Sequence, residues 1–398
     1  MAESKVYIGV AWEAKFSYLC GMKHVVVAFD SFKGSLTSAD ACEAFAVGYR
    51  EVCPEASVCI IPISDGGEGF SDAVASSRHG RSVECRVTGP LGGDVVATYT
   101  ILDDGTAVIS LAAASGLTLI PAARRNPLLA TTYGTGELIL DALGRGSRRI
   151  IIGLGGSATT DGGSGMLRAL GFRFFDDRGC ELTSAIDILE RAVSISGSDV
   201  SPAVRDAVIE VAVDVDNPLY GPRGAAYVYA PQKGADAEMV QRLDRALRHY
   251  ASLGDSHCGY EASATSGVGA AGGVGYAFVA FLGRELTSGI ELLLNIVGLD
   301  AALDGASLVV TGEGRIDEQT LMGKAPVGVL RRAQRHGVPC VAVGGMVEMS
   351  ESLAQSGFSD ILAAKPASMP LSEAMKPSVA YDNLRAVGRG VASAYIKK

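Results

Sequence analysis

The chain has 398 residues, of which 48% are apolar and 20% charged, with a formal net charge of −9. That length exceeds one ordinary core, so two domains are expected. The acidic balance, with no basic run interleaved with aromatics, argues against a nucleic-acid surface. Anionic small molecules stay compatible with it, provided a local set of Lys, Arg and backbone N–H groups meets them.

Fifty glycines exceed the roughly 7% of average usage and gather in polar loops, where a backbone can approach a ligand closely. The eight cysteines form no CxxC pair and fit no zinc template. They read as reduced core thiols of a cytoplasmic protein. Residues 1–21 read as an N-terminal extension and make no signal peptide, because Glu3, Glu13 and Lys15 interrupt any apolar stretch.

In chain order, "HVVVAF" at 24–29 predicts a buried strand, and "SADACEAFAVGYREV" predicts a helix capped by Ser35 or Ser38. "ASVCIIPI" predicts a second strand and "GEGFSDAVASSR" a second helix. Such alternation predicts a parallel sheet with helices on its faces. The pattern changes over residues 83–111, where short alternating strands separated by Gly- and Asp-bearing turns predict antiparallel pairing and a second domain. That domain continues through "RRIIIGLGG" and "VIEVAVDVDNP". It ends in 262–283, where six glycines favour a loop feeding a buried helix over a membrane span. From 285 the first pattern returns, with strands in "GASLVV", "VPCVAV" and "FSDILAA" and a helix in "KAPVGVLRRAQRHG". The expected fold is α/β with two domains. A discontinuous Rossmann-like parallel-sheet domain takes residues 22–85 and 285–398, and an inserted mixed α/β domain takes 86–284.

Four polar loops are expected to follow strands of the first domain: "DSFKGSL" at 30–36, "SDGGEGF" at 64–70, "TGEGRID" at 311–317 and "GGM" at 344–346. Strands of a parallel sheet end on one side, so these loops should meet there and form a ligand site. In the second domain "GLGGSATTDGGSG" at 153–165 follows a strand. It can turn successive N–H groups toward phosphate oxygens, with hydroxyls from Ser157, Thr159 and Thr160. A tight strand–helix turn with Asp161 as cap explains the same glycines. There is no GxxxxGK[ST], HExxH or GxSxG. If the strand before "DVDNPLYGPRGA" reaches far enough, Asp214 and Asp216 share one face. With Asp65, Glu68, Glu313 and Asp317 they are suitable hard ligands for Mg²⁺. Lys33, Lys233, Arg315 and Lys324 can balance an anionic substrate.

"DSFKGSL", "DGGEG", "AAASGL", "RNPLLATTYGTGELI", "GGSATTDGG", "DVDNPL", "GPRGAAYVYAPQKGA" and "TGEGRIDEQTLMGKAPVGV" occur in an order and spacing that resemble the bacterial type-1 glycerate kinase family, over roughly residues 22–395. The resemblance implies ATP-dependent phosphorylation of D-glycerate, at the 2-hydroxyl, by a two-domain α/β enzyme with its active site between the domains. One departure is the stretch "AIDILERAVSI" at 185–195, which lacks an expected glycine pair and falls where a substrate-side loop is expected.

On that footing, Gly155, Gly156, Ser157, Thr159 and Lys324 are expected to hold the phosphates of ATP. Mg²⁺ is assigned to Asp214, Asp216 and Glu313. Asp30, Ser31, Arg315 and Asp317 are assigned to glycerate, with Lys33 beside its carboxylate. Asp65 is the first candidate to orient or deprotonate the hydroxyl, and Asp161 the second. The alternatives are a kinase for another small hydroxy acid or polyol, or a non-catalytic organic-acid sensor. A homo-oligomer stays open.

Overall fold

The computed structural model describes residues 24–63, Val74 and residues 80–396. The loop at 64–70 and the helix expected after it therefore lie outside the described residues, Val74 apart. The chain divides into two compact units. One holds the residues up to Ile63 together with Gly298 onward, and the other holds the residues between them.

In the first unit, five strands form a parallel sheet in the order Asp360–Ala363, Cys340–Val347, Leu308–Ile316, His24–Phe29 and Ser57–Ile60. Val25, Val27 and Phe29 face one side. They join Leu308, Val310, Val341 and Val343 in a core closed by helices Ser38–Val52 and Pro377–Ile396. Helix Ala325–His336 covers the alternate face through a stripe that includes Val329 and Leu330, and it stops at Gly337 as the sequence suggests. The first two helices approach so closely that a side chain on either contact glycine would strike backbone. A Cβ on Gly48 would lie 1.9 Å from the Arg385 carbonyl oxygen, and one on Gly388 would lie 2.2 Å from that of Phe45.

The cap of the first helix is Thr37, whose hydroxyl accepts the Asp40 N–H at 3.1 Å. Ser35 and Ser38 are engaged elsewhere, donating to the carbonyls of Phe32 and Ile63. A second difference concerns "TGEGRID" and "GGM", which are strand rather than loop down to Ile316 and Val347. Their parallel register runs from Val309↔Cys340 through Glu313↔Gly344 to Ile316↔Val347. The glycines permit this: a Cβ on Gly312 would lie 2.2 Å from the Val343 carbonyl oxygen.

In the second unit, six strands form a mixed sheet ordered Leu286–Ser288, Val208–Val213, Arg149–Gly153, Ala107–Ser110, Asp94–Leu102, Gly80–Thr88. The first four are parallel to one another and the last two add antiparallel pairs. Tyr250 of helix Ala237–Cys258 packs its ring with those of Phe174, Tyr276 and Phe281. The glycine-rich 262–283 segment does feed a buried helix, Ala270–Ala280. Among the described residues no helix is long and apolar enough to cross a membrane. The departing stretch at 185–195 is not a loop. Ala185–Arg191 is a helix tied to the long helix by Glu190 and Arg242, and Ser194–Ser196 is a strand of a small three-stranded sheet.

Candidate active site

Two neighbouring strands of the second unit set up a cleft of ≈ 240 Å³. Strand Arg149–Gly153 delivers Leu154, Gly155, Gly156 and Ser157 to one wall, and neighbouring strand Val208–Val213 delivers Val213, Asp214 and Val215 to another. Tyr229, Gln232 and Lys233 come from a short helix and the turn after it, and Ala270 and Ala271 close the ring. Gly116 and Ser157 form an antiparallel bridge that anchors the loop, using the Gly156 carbonyl and the Ala158 N–H. Among the described residues no partner takes the N–H groups of Gly155, Gly156 or Ser157. Consecutive amides of this kind suit an anion.

The loop is held in shape from behind. Asp161 is fully buried. It accepts the Thr132 N–H at 2.8 Å, the Thr132 hydroxyl at 2.7 Å, and the N–H groups of Gly163 and Gly165 at 3.1 and 3.2 Å. The Thr132 hydroxyl in turn accepts the Met166 N–H at 2.9 Å. Burial pushes the Asp161 carboxyl above its usual range, while these four donors pull the other way. A set made only of donors suits a carboxylate.

On its far side the loop meets the start of helix Ala270–Ala280, where Ala271, Gly272 and Gly273 all have positive φ. A Cβ on Gly272 would lie 2.1 Å from the Thr159 carbonyl oxygen, and the Gly162 N–H donates to the Gly272 carbonyl at 3.0 Å. Ala271 is the non-glycine residue at positive φ among the described residues, and it lines the cleft. Strain held at a ligand-facing position is a common mark of function.

Lys233 supplies the cleft's cation. It is 2% exposed, and its Nζ donates to Ser157 Oγ at 2.9 Å and to the Thr159 carbonyl at 2.6 Å. Burial lowers its pKa to about 7, opposed by the charge of Asp161. The residues thus offer unpaired amides, a hydroxyl and an ammonium to one anion, with apolar walls from Leu117, Leu154, Val213 and Val215.

The glycerate kinase family model matches residues 25–396. A glycerate kinase from Bacillus cereus is 45% identical over 373 residues, covering 93% of this chain and 97% of the relative. A glycerate 2-kinase from Escherichia coli is 42% identical over 371 residues, again covering 93% and 97%. A crystal structure of a protein from Salmonella typhimurium LT2, assigned as a glycerate kinase 2, is 42% identical. It matches with a TM-score of 0.83 over 94% of this chain and 98% of its own. The chain belongs to the glycerate kinase family. It is an enzyme and a kinase, so the non-catalytic sensor is set aside.

Within this glycerate kinase fold, Gly155, Gly156, Ser157 and Asp214 reach the cleft wall, but Thr159 does not. Its side chain is buried, its Oγ1 has no partner among the described residues, and its carbonyl serves Lys233. Asp161 likewise differs from the expectation of a base. Both its oxygens are occupied inside the protein, so it positions the loop. The strand ends at Val213, and the shared face expected for Asp214 and Asp216 does not form. Asp216 is exposed and pairs with Arg223 at 3.1 Å. Among the described residues no group of three or more His, Cys, Asp or Glu is placed to hold a metal. Asp214 thus stands on the cleft wall, Asp216 is turned to Arg223, and Glu313 belongs to the first unit.

In the first unit, the segments at 30–36, 311–317 and 344–346 do come together. The Asp30 N–H donates to the Gly312 carbonyl at 2.8 Å, and positions 314 and 345 are glycines packed against the backbone of Lys33 and the ring of Phe32. Asp30 is buried and accepts the Ser31 N–H at 2.6 Å. Glu313 is nearly buried and accepts the Thr320 hydroxyl at 2.8 Å, with Lys324 Nζ at 3.4 Å. Arg315 is tied by Asp317 at 3.1 Å and by Glu348, and Asp317 also caps the turn Glu318–Met322. The guanidinium expected to clamp glycerate is thus engaged by two carboxylates. Asp65 lies outside the described residues. Tyr229, Gln232 and Ala271 escape sequence reasoning altogether, and Lys233 is legible there as one cation among four. The signal for Lys233 is its place in a short turn ended by Gly234, which says nothing of its burial.

Proposed function

We propose that the chain transfers the terminal phosphoryl group of ATP, supplied as its Mg²⁺ complex, to the 2-hydroxyl of D-glycerate. The products are 2-phosphoglycerate and ADP. The bond from the terminal phosphorus to its bridging oxygen breaks, a bond to the glycerate oxygen forms, and the hydroxyl proton passes to a base. The observation that carries this reading is the cleft of the second unit, where the amides of Gly155, Gly156 and Ser157 and the ammonium of Lys233 surround one anion-sized space. The family and the Escherichia coli relative's name as a glycerate 2-kinase support the acceptor and its position.

Phosphoryl transfer is catalysed mostly by positioning and charge neutralisation. The loop and Lys233 serve the polyphosphate. Mg²⁺ comes with the nucleotide and keeps most of its waters, so it needs few protein ligands, and Asp214 on the cleft wall is a suitable one. Asp30, Ser31 and Lys33 are the assigned glycerate side, and Asp65 the assigned base. ADP release measured with D-glycerate, L-glycerate, hydroxypyruvate and sugars tests the acceptor, and phosphorus NMR of the product tests the position. A 3-phosphoglycerate signal would overturn the regiochemistry, and turnover on a sugar alone would overturn the substrate.

A further inference from the structure

Lys233 is costly as a structural tether. Its two partners, Ser157 Oγ and the Thr159 carbonyl, are neutral acceptors, and a buried ammonium without a contacting counter-anion bears most of its desolvation penalty. A hydroxyl or amide side chain would hold the loop at lower cost. The position makes sense if a third acceptor arrives from the cleft, since the residue and its partner Ser157 both line the wall.

We propose that Lys233 is the phosphate-sensing residue of this cleft: it ties the glycine-rich loop through Ser157 and Thr159, and an incoming polyphosphate draws a proton onto it. This rests on the reading of the cleft as the nucleotide's phosphate site. Of the charged and titratable groups near Lys233, Arg125 donates to the adjacent Gln232 carbonyl at 3.5 Å. Asp161 lies behind the loop and favours the protonated form, while Asp214 and Tyr229 stand on the cleft wall. Burial and the two carboxylates Asp214 and Asp216 push the Tyr229 hydroxyl up, so it stays neutral. Burial disfavours the charge on Lys233 and lowers its pKa to about 7, whereas a bound polyanion favours the charge, so over mildly alkaline pH the free enzyme gives up this proton before the bound enzyme does. Linkage requires binding to weaken as pH rises through that range, by up to about tenfold per unit.

The test is calorimetry of ADP with Mg²⁺ at pH 8.5 in two buffers of unequal ionisation enthalpy, neither a phosphate. At that pH the terminal phosphate of ADP has already lost its proton, since its second ionisation lies near ~6. The wild type is expected to take up close to one proton per ligand. Lys233→Met is expected to take up none and to bind at least ~10-fold more weakly, the loss typical of a charge-assisted hydrogen bond. Lys233→Arg keeps a permanent charge and is expected to bind without uptake. No uptake by the wild type, or undiminished uptake by Lys233→Met, overturns the proposal; the wild-type measurement decides it even if neither variant folds. Proton uptake without glycerate-dependent ADP release would leave the lysine's role standing and remove the glycerate reading. Turnover without uptake would do the reverse.

Discussion

Thr132 donates both its N–H and its hydroxyl to one oxygen of Asp161, 29 residues further along the chain, at 2.8 and 2.7 Å. With Gly163 and Gly165 this fixes the turn between strand Arg149–Gly153 and helix Ser164–Ala169. An amide in its place must turn its NH₂ toward at least one of these donors. Asp161→Asn is therefore expected to lose at least ~2 kcal/mol of stability, the cost of an unsatisfied buried group. Thermal unfolding checks it. Loss of turnover with an unchanged melting temperature would instead mark Asp161 as a base.

Lys233 makes ligand-free stability depend on pH. Its folded pKa is lowered to about 7, below the unfolded value of 10.5, so between those values the unfolded chain binds the extra proton. The penalty for burying the charge is fully present below about pH 7 and vanishes above the unfolded value. The wild type should therefore gain stability relative to Lys233→Met as pH rises from 7 to 10. Denaturant melts of both proteins across that range measure the difference, and parallel curves would contradict it.

Ala271 holds φ 53° where a side chain is disfavoured. Ala271→Gly should be tolerated within ~1 kcal/mol, since relief of strain offsets the added freedom of the unfolded chain. Ala271→Val adds a branched Cβ in the same conformation and should cost roughly 2 kcal/mol or more. Equal melting temperatures for the two variants would deny the strain.

Gly48→Ala and Gly388→Ala each place a methyl group within about 2 Å of a carbonyl oxygen on the facing helix. Each should lower stability by ~1–3 kcal/mol, the range for overpacking. Alanine at Gly390, whose added Cβ meets nothing within 4 Å, serves as the control.

Asp65 is assigned as the base from the sequence. Asp65→Asn should lower kcat by ~100-fold or more while leaving ADP binding intact. Near-normal turnover would remove it from that role.

The sequence by itself determined the elements and their class. Apolar runs such as "HVVVAF" and "RRIII" announce strands, helical spacing announces the covering helices, and the shift to short alternating strands over residues 83–111 announces the antiparallel part of the second sheet. These are local signals, carried by periodicity within a dozen residues. It also marked the 153–165 loop, because so many glycines beside hydroxyls are visible without a fold. Tertiary structure decided what each polar residue does there. Asp161 and Ser157 lie four positions apart, yet one is spent on Thr132 from another segment while the other faces the cleft with Lys233. Burial and hydrogen-bond partners come from residues dozens of positions away, and no local pattern encodes them. The same reason hid the strand character of "TGEGRI", which is strand because Val343, Gly344 and Met346 lie alongside to pair with it.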